Sequence, residues 1–172
     1  MLIRETARRL AGHRWIERRL FECTGAWVKA EAHAPLTRLL AAESHHHAWR
    51  ASMWDGLVPV LHDLDPTELE PPPADVALLD ALAVTSGSVE RLTGLARVVL
   101  PHVLRRYDDD LASATEVADA PVVRVLRLVS ADARDDWRAT DELLRSSLGA
   151  EDDAGRSAAH QSELERLLAS EG

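Results

Sequence analysis

Acidic and imidazole side chains stand where helical stripes would otherwise be apolar. A helix brings residues three and four apart onto one face. One stripe therefore reads Leu10, His13, Glu17, Leu20, Thr24, Trp27, and a second reads Leu36, Leu39, Glu43, His46, Arg50, Met53, Leu57. The step of three from Glu43 to His46 turns a carboxylate and an imidazole to one side, from which both can reach one metal ion. Farther on, the stripe Val122, Val125, Val129, Asp132, Asp136, Ala139, Leu143 buries Asp132, with Asp135 and Asp136 a turn beyond. Glu90 lies beside the apolar stripe of its own segment, on the line Ala83, Ser86, Glu90, Thr93. Burying several carboxylates without compensation costs several kcal/mol each. A pair of metal ions would compensate, as would inward-reaching arginines such as Arg50, Arg97 or Arg134, or protonation of the acids. Glu43 and His46 also suit metal-free proton transfer in an apolar pocket. In the triplet His45–His46–His47 the rings point about 100° apart, so they cannot share one ion, and His46 is the one expected to face inward. His13, a turn before Glu17, reads as a supporting or core histidine.

The elements that must position these groups are helices. Four long segments carry the helical period and strand patterning is nearly absent, so the chain reads as all-α. They run from about Arg4 to Ala32, from Pro35 to near Pro59, from Ala74 through Val103 with a kink expected at Pro101, and from Asp119 to near Gly149. The first link, at His33 to Pro35, is short enough to leave its helices antiparallel. The second, Asp63 to Asp75, contains Pro66, Pro71, Pro72 and Pro73. Extended, it reaches about 40 Å, the length of a helix of about 27 residues. That is enough to run the length of a bundle and leave the second and third helices parallel. Residues 1–150 thus read as a four-helix bundle, and 151–172 as a polar break and a short amphipathic C-terminal helix that packs on the bundle or on a second copy.

Glu17 followed by Glu43-x-x-His46 resembles half of the ligand set of the ferritin-like superfamily, in which two antiparallel helix pairs each provide one Glu and one Glu-x-x-His. Glu90 stands for the second lone glutamate, and the last helix offers Asp132-x-x-Asp135, without a histidine. The resemblance implies a ferritin-like bundle with a long crossover between helices 2 and 3. It also implies iron or manganese held by Glu17, Glu43, His46, Glu90, Asp132 and Asp135, and an oxidoreductase acting on a small molecule, of the di-iron oxidase or oxygenase kind. The alternative is a metal-free bundle of the same fold, either a cofactor-independent acid/base enzyme using Glu43 and His46 or a noncatalytic dimeric accessory protein.

Composition narrows the classes further. The chain has 172 residues, a formal charge of −9 and one cysteine, Cys23. An acidic chain lacks the basic footprint of a nucleic-acid partner, and a lone cysteine excludes an internal disulfide framework and fits a reducing cytoplasm. No apolar run approaches the ~20 residues of a membrane span. One lysine stands against nineteen arginines, a mark of codon bias before it is one of arginine chemistry. The five tryptophans and the amphipathic tail make a homodimer reasonable. No phosphate-binding glycine loop, dinucleotide fingerprint or Ser/His/Asp context is present.

Overall fold

Apolar residues at helical spacing draw the first helix, α1 (Ile3–Ala30), onto its neighbours along one side, burying Leu10, Ile16, Leu20 and Trp27. The computed structural model describes residues 3–60, 62–149 and 151–169, and among them every regular element is helical. A three-residue link leads to α2 (Ala34–Asp55), with Pro35 in its first turn, where a missing N–H is no loss. The proline-rich segment is not extended throughout. Pro66 opens a 3-10 turn (Pro66–Leu69), capped by the Asp65 carboxylate on the Thr67 amide at 2.9 Å, and Pro73 opens α3 (Pro73–Ala83). Proline fits the first turn of a helix as readily as it fits an extended strap.

The third expected segment is two helices rather than one. After α3 the chain turns at Gly87, whose φ of +93° favours glycine, and α4 (Ser88–Thr93) follows. A π-helical stretch (Gly94–Val99) joins α4 directly to α5 (Leu100–Ser113). Pro101 has no N–H to donate. In the five-residue spacing of the π stretch the carbonyl it leaves free is that of Ala96, which accepts Trp137 Nε1–H at 2.9 Å. α6 (Ala120–Ser147) starts with Pro121 in its first turn. Asp119 precedes it, but its carboxylate accepts the Thr115 amide at 2.9 Å instead of capping the helix. The expected polar break from Glu151 is the start of α7 (Glu151–Ala169), since acidic residues suit a helix N-terminus. This helix packs back on the molecule. Leu164 is fully buried, the Ser157 and Thr93 hydroxyls are 2.8 Å apart, and a Cβ on Gly94 would lie 2.6 Å from Leu82 and 3.2 Å from Leu164.

Bonds between helices set their directions. Glu17 meets His47 and Arg50, while the Phe21 carbonyl accepts the Ser44 hydroxyl, so α1 and α2 are antiparallel. Pairs from Glu43–Thr140 to Arg50–Asp132 make α2 and α6 antiparallel. Ala96–Trp137 and Asp108–Arg134 do the same for the π–α5 rod and α6. α2 and α5 therefore point the same way, and residues 56–87 carry the chain between them. One apolar core runs from Leu20, Leu40 and Trp54 through Leu95, Leu100 and Leu126 to Leu164, each buried leucine contributing roughly 1.5–3 kcal/mol. Among the described residues no helix is long and apolar enough to cross a membrane.

Candidate functional site

The polar residues of α1, α2, α5 and α6 meet around one guanidinium. Arg50, on α2, is fully buried and directs Nε to both Glu17 oxygens at 3.1 Å. Glu17 also accepts the Tyr107 hydroxyl at 2.5 Å and lies 2.6 Å from His47 Nδ1. Burial alone would raise the Glu17 carboxyl, but Arg50, His47 and Tyr107 overcome it and hold the pKa near 2. His47 goes the other way. Burial lowers its pKa more than Glu17 raises it, so the ring is held neutral. Its Nδ1 also lies 2.8 Å from Arg50 Nη2, whereas its Nε2 is buried and meets no hydrogen-bond partner among the described residues. The Tyr107 hydroxyl is raised well above its ordinary value by burial and by the Glu17 charge.

On the α6 side Arg50 Nη1 donates to Asp132 Oδ2 and, at 2.7 Å, to Asp136 Oδ2. The other Asp136 oxygen lies 2.7 Å from His46 Nδ1. These four residues link the interior to the surface, since the His46 side chain is 40% exposed and Asp132 29%. Glu43 is fully buried, with Oε1 on the Thr140 hydroxyl and Oε2 without a partner among the described residues. Burial and the nearby Asp136 push its pKa up to about 8 against the opposing pull of Thr140 and Arg50, so it is a neutral acid at pH 7. The hydrogens balance in that state. A protonated Glu43 donates to Thr140, which is then free to donate to the Asp136 carbonyl oxygen at 2.8 Å.

Glu17, Glu43, His46 and Asp132 come together, but His47 takes the interior place expected for His46, which sits at the margin with Asp132, and two expected partners do not join them. Glu90 faces α7, where it pairs with Arg156 at 3.1 Å, and Asp135 is exposed beside Arg138. Both corrections are matters of helical phase. Glu90 belongs to the short α4 behind the turn at Gly87, and Asp135 lies about 100° around α6 from Asp136. His47, Tyr107 and Thr140 complete the cluster and escaped the stripes. His13 is a buried core histidine, as expected, bonded to Asp110 at 2.7 Å and ringed by Trp54 and Tyr107 at 5.0 and 4.9 Å. Arg97 and Arg134 serve Asp141 and Asp108 instead of this cluster. Burial pushes the Cys23 thiol up to about 12, which makes it a packing residue.

A metal centre can be tested on this donor set. His46, Asp132 and Asp136 offer ligand atoms within 4.8 Å of one another. Both aspartates, however, already accept Arg50, whose charge also holds Glu17. A divalent ion placed among these carboxylates would sit beside a buried positive charge at low dielectric. With Glu90 and Asp135 elsewhere, the residues present do not fit a dinuclear iron or manganese centre. Comparison of the chain with protein families, with curated proteins and with solved structures gives no match.

Proposed function

We propose that this chain is a metal-free, ferritin-like helical bundle that moves a proton to or from a small molecule at the seam between α2 and α6. The antiparallel pairs α1–α2 and α5–α6, with α2 parallel to α5, support the ferritin-like order. The reading is carried by the chain His46–Asp136–Arg50, with separations of 2.7 and 2.7 Å.

Asp136 accepts Nδ1–H of His46, which leaves the Nε2 lone pair as the base on a half-exposed ring. When Nε2 takes a proton, Asp136 stabilises the imidazolium. Arg50 holds the second Asp136 oxygen and so fixes the carboxylate in place. Glu43 is a positioning residue: kept protonated, it adds no second negative charge next to Asp136. Trp49, exposed and three residues beyond His46, offers an apolar surface beside the base.

The test is hydrogen–deuterium exchange at carbon in a panel of small carbonyl compounds, with chelator present. Exchange by the wild type, lowered about 100-fold or more in His46→Ala and Asp136→Asn, is the expected result. No exchange by the wild type would overturn the reading. A second reading, one divalent ion on His46, Asp132 and Asp136, is favoured by the convergence of their ligand atoms. It predicts one ferrous or manganous ion per chain after anaerobic loading and desalting, lost in His46→Ala.

A further inference from the structure

The metal-free reading leaves open why so many donors gather around an arginine. We infer that Arg50 is the resident cation of this interior, and that removing its charge turns the same side chains into a binding site for one divalent transition-metal ion. The inference rests on the metal-free reading of the wild-type site.

Geometry and charge support it together. Arg50 bonds Glu17, Asp132 and Asp136, carboxylates from two helices that share no other ion-pair partner among the described residues. Without it, three acids lose their shared counter-charge in a region where Glu17 is fully buried and Asp136 nearly so. Buried anions then require another cation or a proton. His46, Asp132 and Asp136 offer ligand atoms within 4.8 Å of one another, a mixed nitrogen and oxygen set of the kind that suits cobalt, zinc or manganese. The wild-type barrier is electrostatic, because a guanidinium a few ångströms away repels a doubly charged ion strongly even at a moderate effective dielectric. It is also spatial, because Nη1 already occupies the approach shared by the two aspartates.

The experiment compares wild type, Arg50→Met and Arg50→Lys in titrations with cobalt(II), followed by the visible absorption of the bound ion and by metal analysis after desalting. Arg50→Met is expected to bind one cobalt at least about 100-fold tighter than wild type, and to lose it again when Asp136→Asn is added. Arg50→Lys keeps the charge and is expected to bind no tighter than wild type. If Arg50→Met is unfolded without metal, refolding with cobalt but not with magnesium reads the same property. Failure of Arg50→Met either to bind cobalt more tightly or to be rescued by it overturns the inference and leaves the metal-free reading intact. Tight binding by the wild type at this site overturns both.

Discussion

The proton on Glu43 should make the protein lose stability in a defined alkaline window. In the unfolded chain the carboxyl ionises near 4.5, whereas in the folded chain it does so near 8. Between these values the folded state holds a proton that the unfolded state has released. Stability therefore falls as pH rises, by ~1.4 kcal/mol per pH unit, and levels off above the folded pKa. Other shifted groups act elsewhere. Glu17, depressed to about 2, matters only below 4.5, and His13 and His47, depressed from 6.5, lose stability below that value. From pH 6.5 to 8 the Glu43 slope stands alone among them and totals roughly 1–2 kcal/mol, or a fall in Tm of about 4 °C. Urea unfolding followed by tryptophan fluorescence across this interval measures it, with Glu43→Gln as the reference. Glutamine mimics the neutral acid in shape and cannot ionise, so its curve should be flat where the wild type descends. Equal slopes in the two proteins would show that Glu43 does not carry a proton at neutral pH.

Asp136→Asn removes the carboxylate that selects the His46 tautomer, so nitrogen NMR should show the neutral ring changing from Nδ1–H to a mixture; an unchanged ring would mean that Asp136 does not set it. Tyr107→Phe deletes one donor to Glu17 but leaves Arg50 and His47, and should cost about 1–2 kcal/mol by urea unfolding; no loss would show that the hydroxyl bond adds nothing net. Leu164→Ala opens a cavity under α7 and should cost about 2–4 kcal/mol, with limited proteolysis cutting first within residues 151–169. Cutting elsewhere first would place the weak point outside that helix.

Much of the cluster was legible because a charged residue in an apolar stripe stands out. Glu17 and Glu43 stand out that way, and neither needs a metal: Glu17 is held by an arginine, and burial raises the Glu43 carboxyl to about 8. What failed was phase. His46 and His47 follow Glu43 by three and four residues, and both spacings suit one face. The fit of α2 against α1 sends His47 fully inside and leaves His46 at the margin. Tyr107 continues the line Leu100, Val103, Leu104 at helical spacing, where an uncharged phenol does not stand out from apolar neighbours. Thr140 reads as filler until Glu43 is placed opposite it. The turn before α4 was signalled by Thr85-Ser86-Gly87, a run that favours a break over a weak point in one long helix.

The π stretch has a consequence for how the rod carrying Tyr107 tolerates change in length. A π turn accommodates one residue more than an α turn, so Gly94–Val99 acts as an angular splice between the part of the rod that seats α7 and the part that faces Glu17. Removing that surplus residue would restore a plain α ladder and turn the rod beyond it by only a few tens of degrees, because the π stretch already absorbs the ~100° that one residue adds to an α-helix. Thr93 would keep its place against Ser157 and Tyr107 its side toward Glu17. A deletion in the α-helical turns on either side has nothing to absorb it and would swing the phenol away by about 100°, so the stretch lets the rod lose one residue without redrawing the interior.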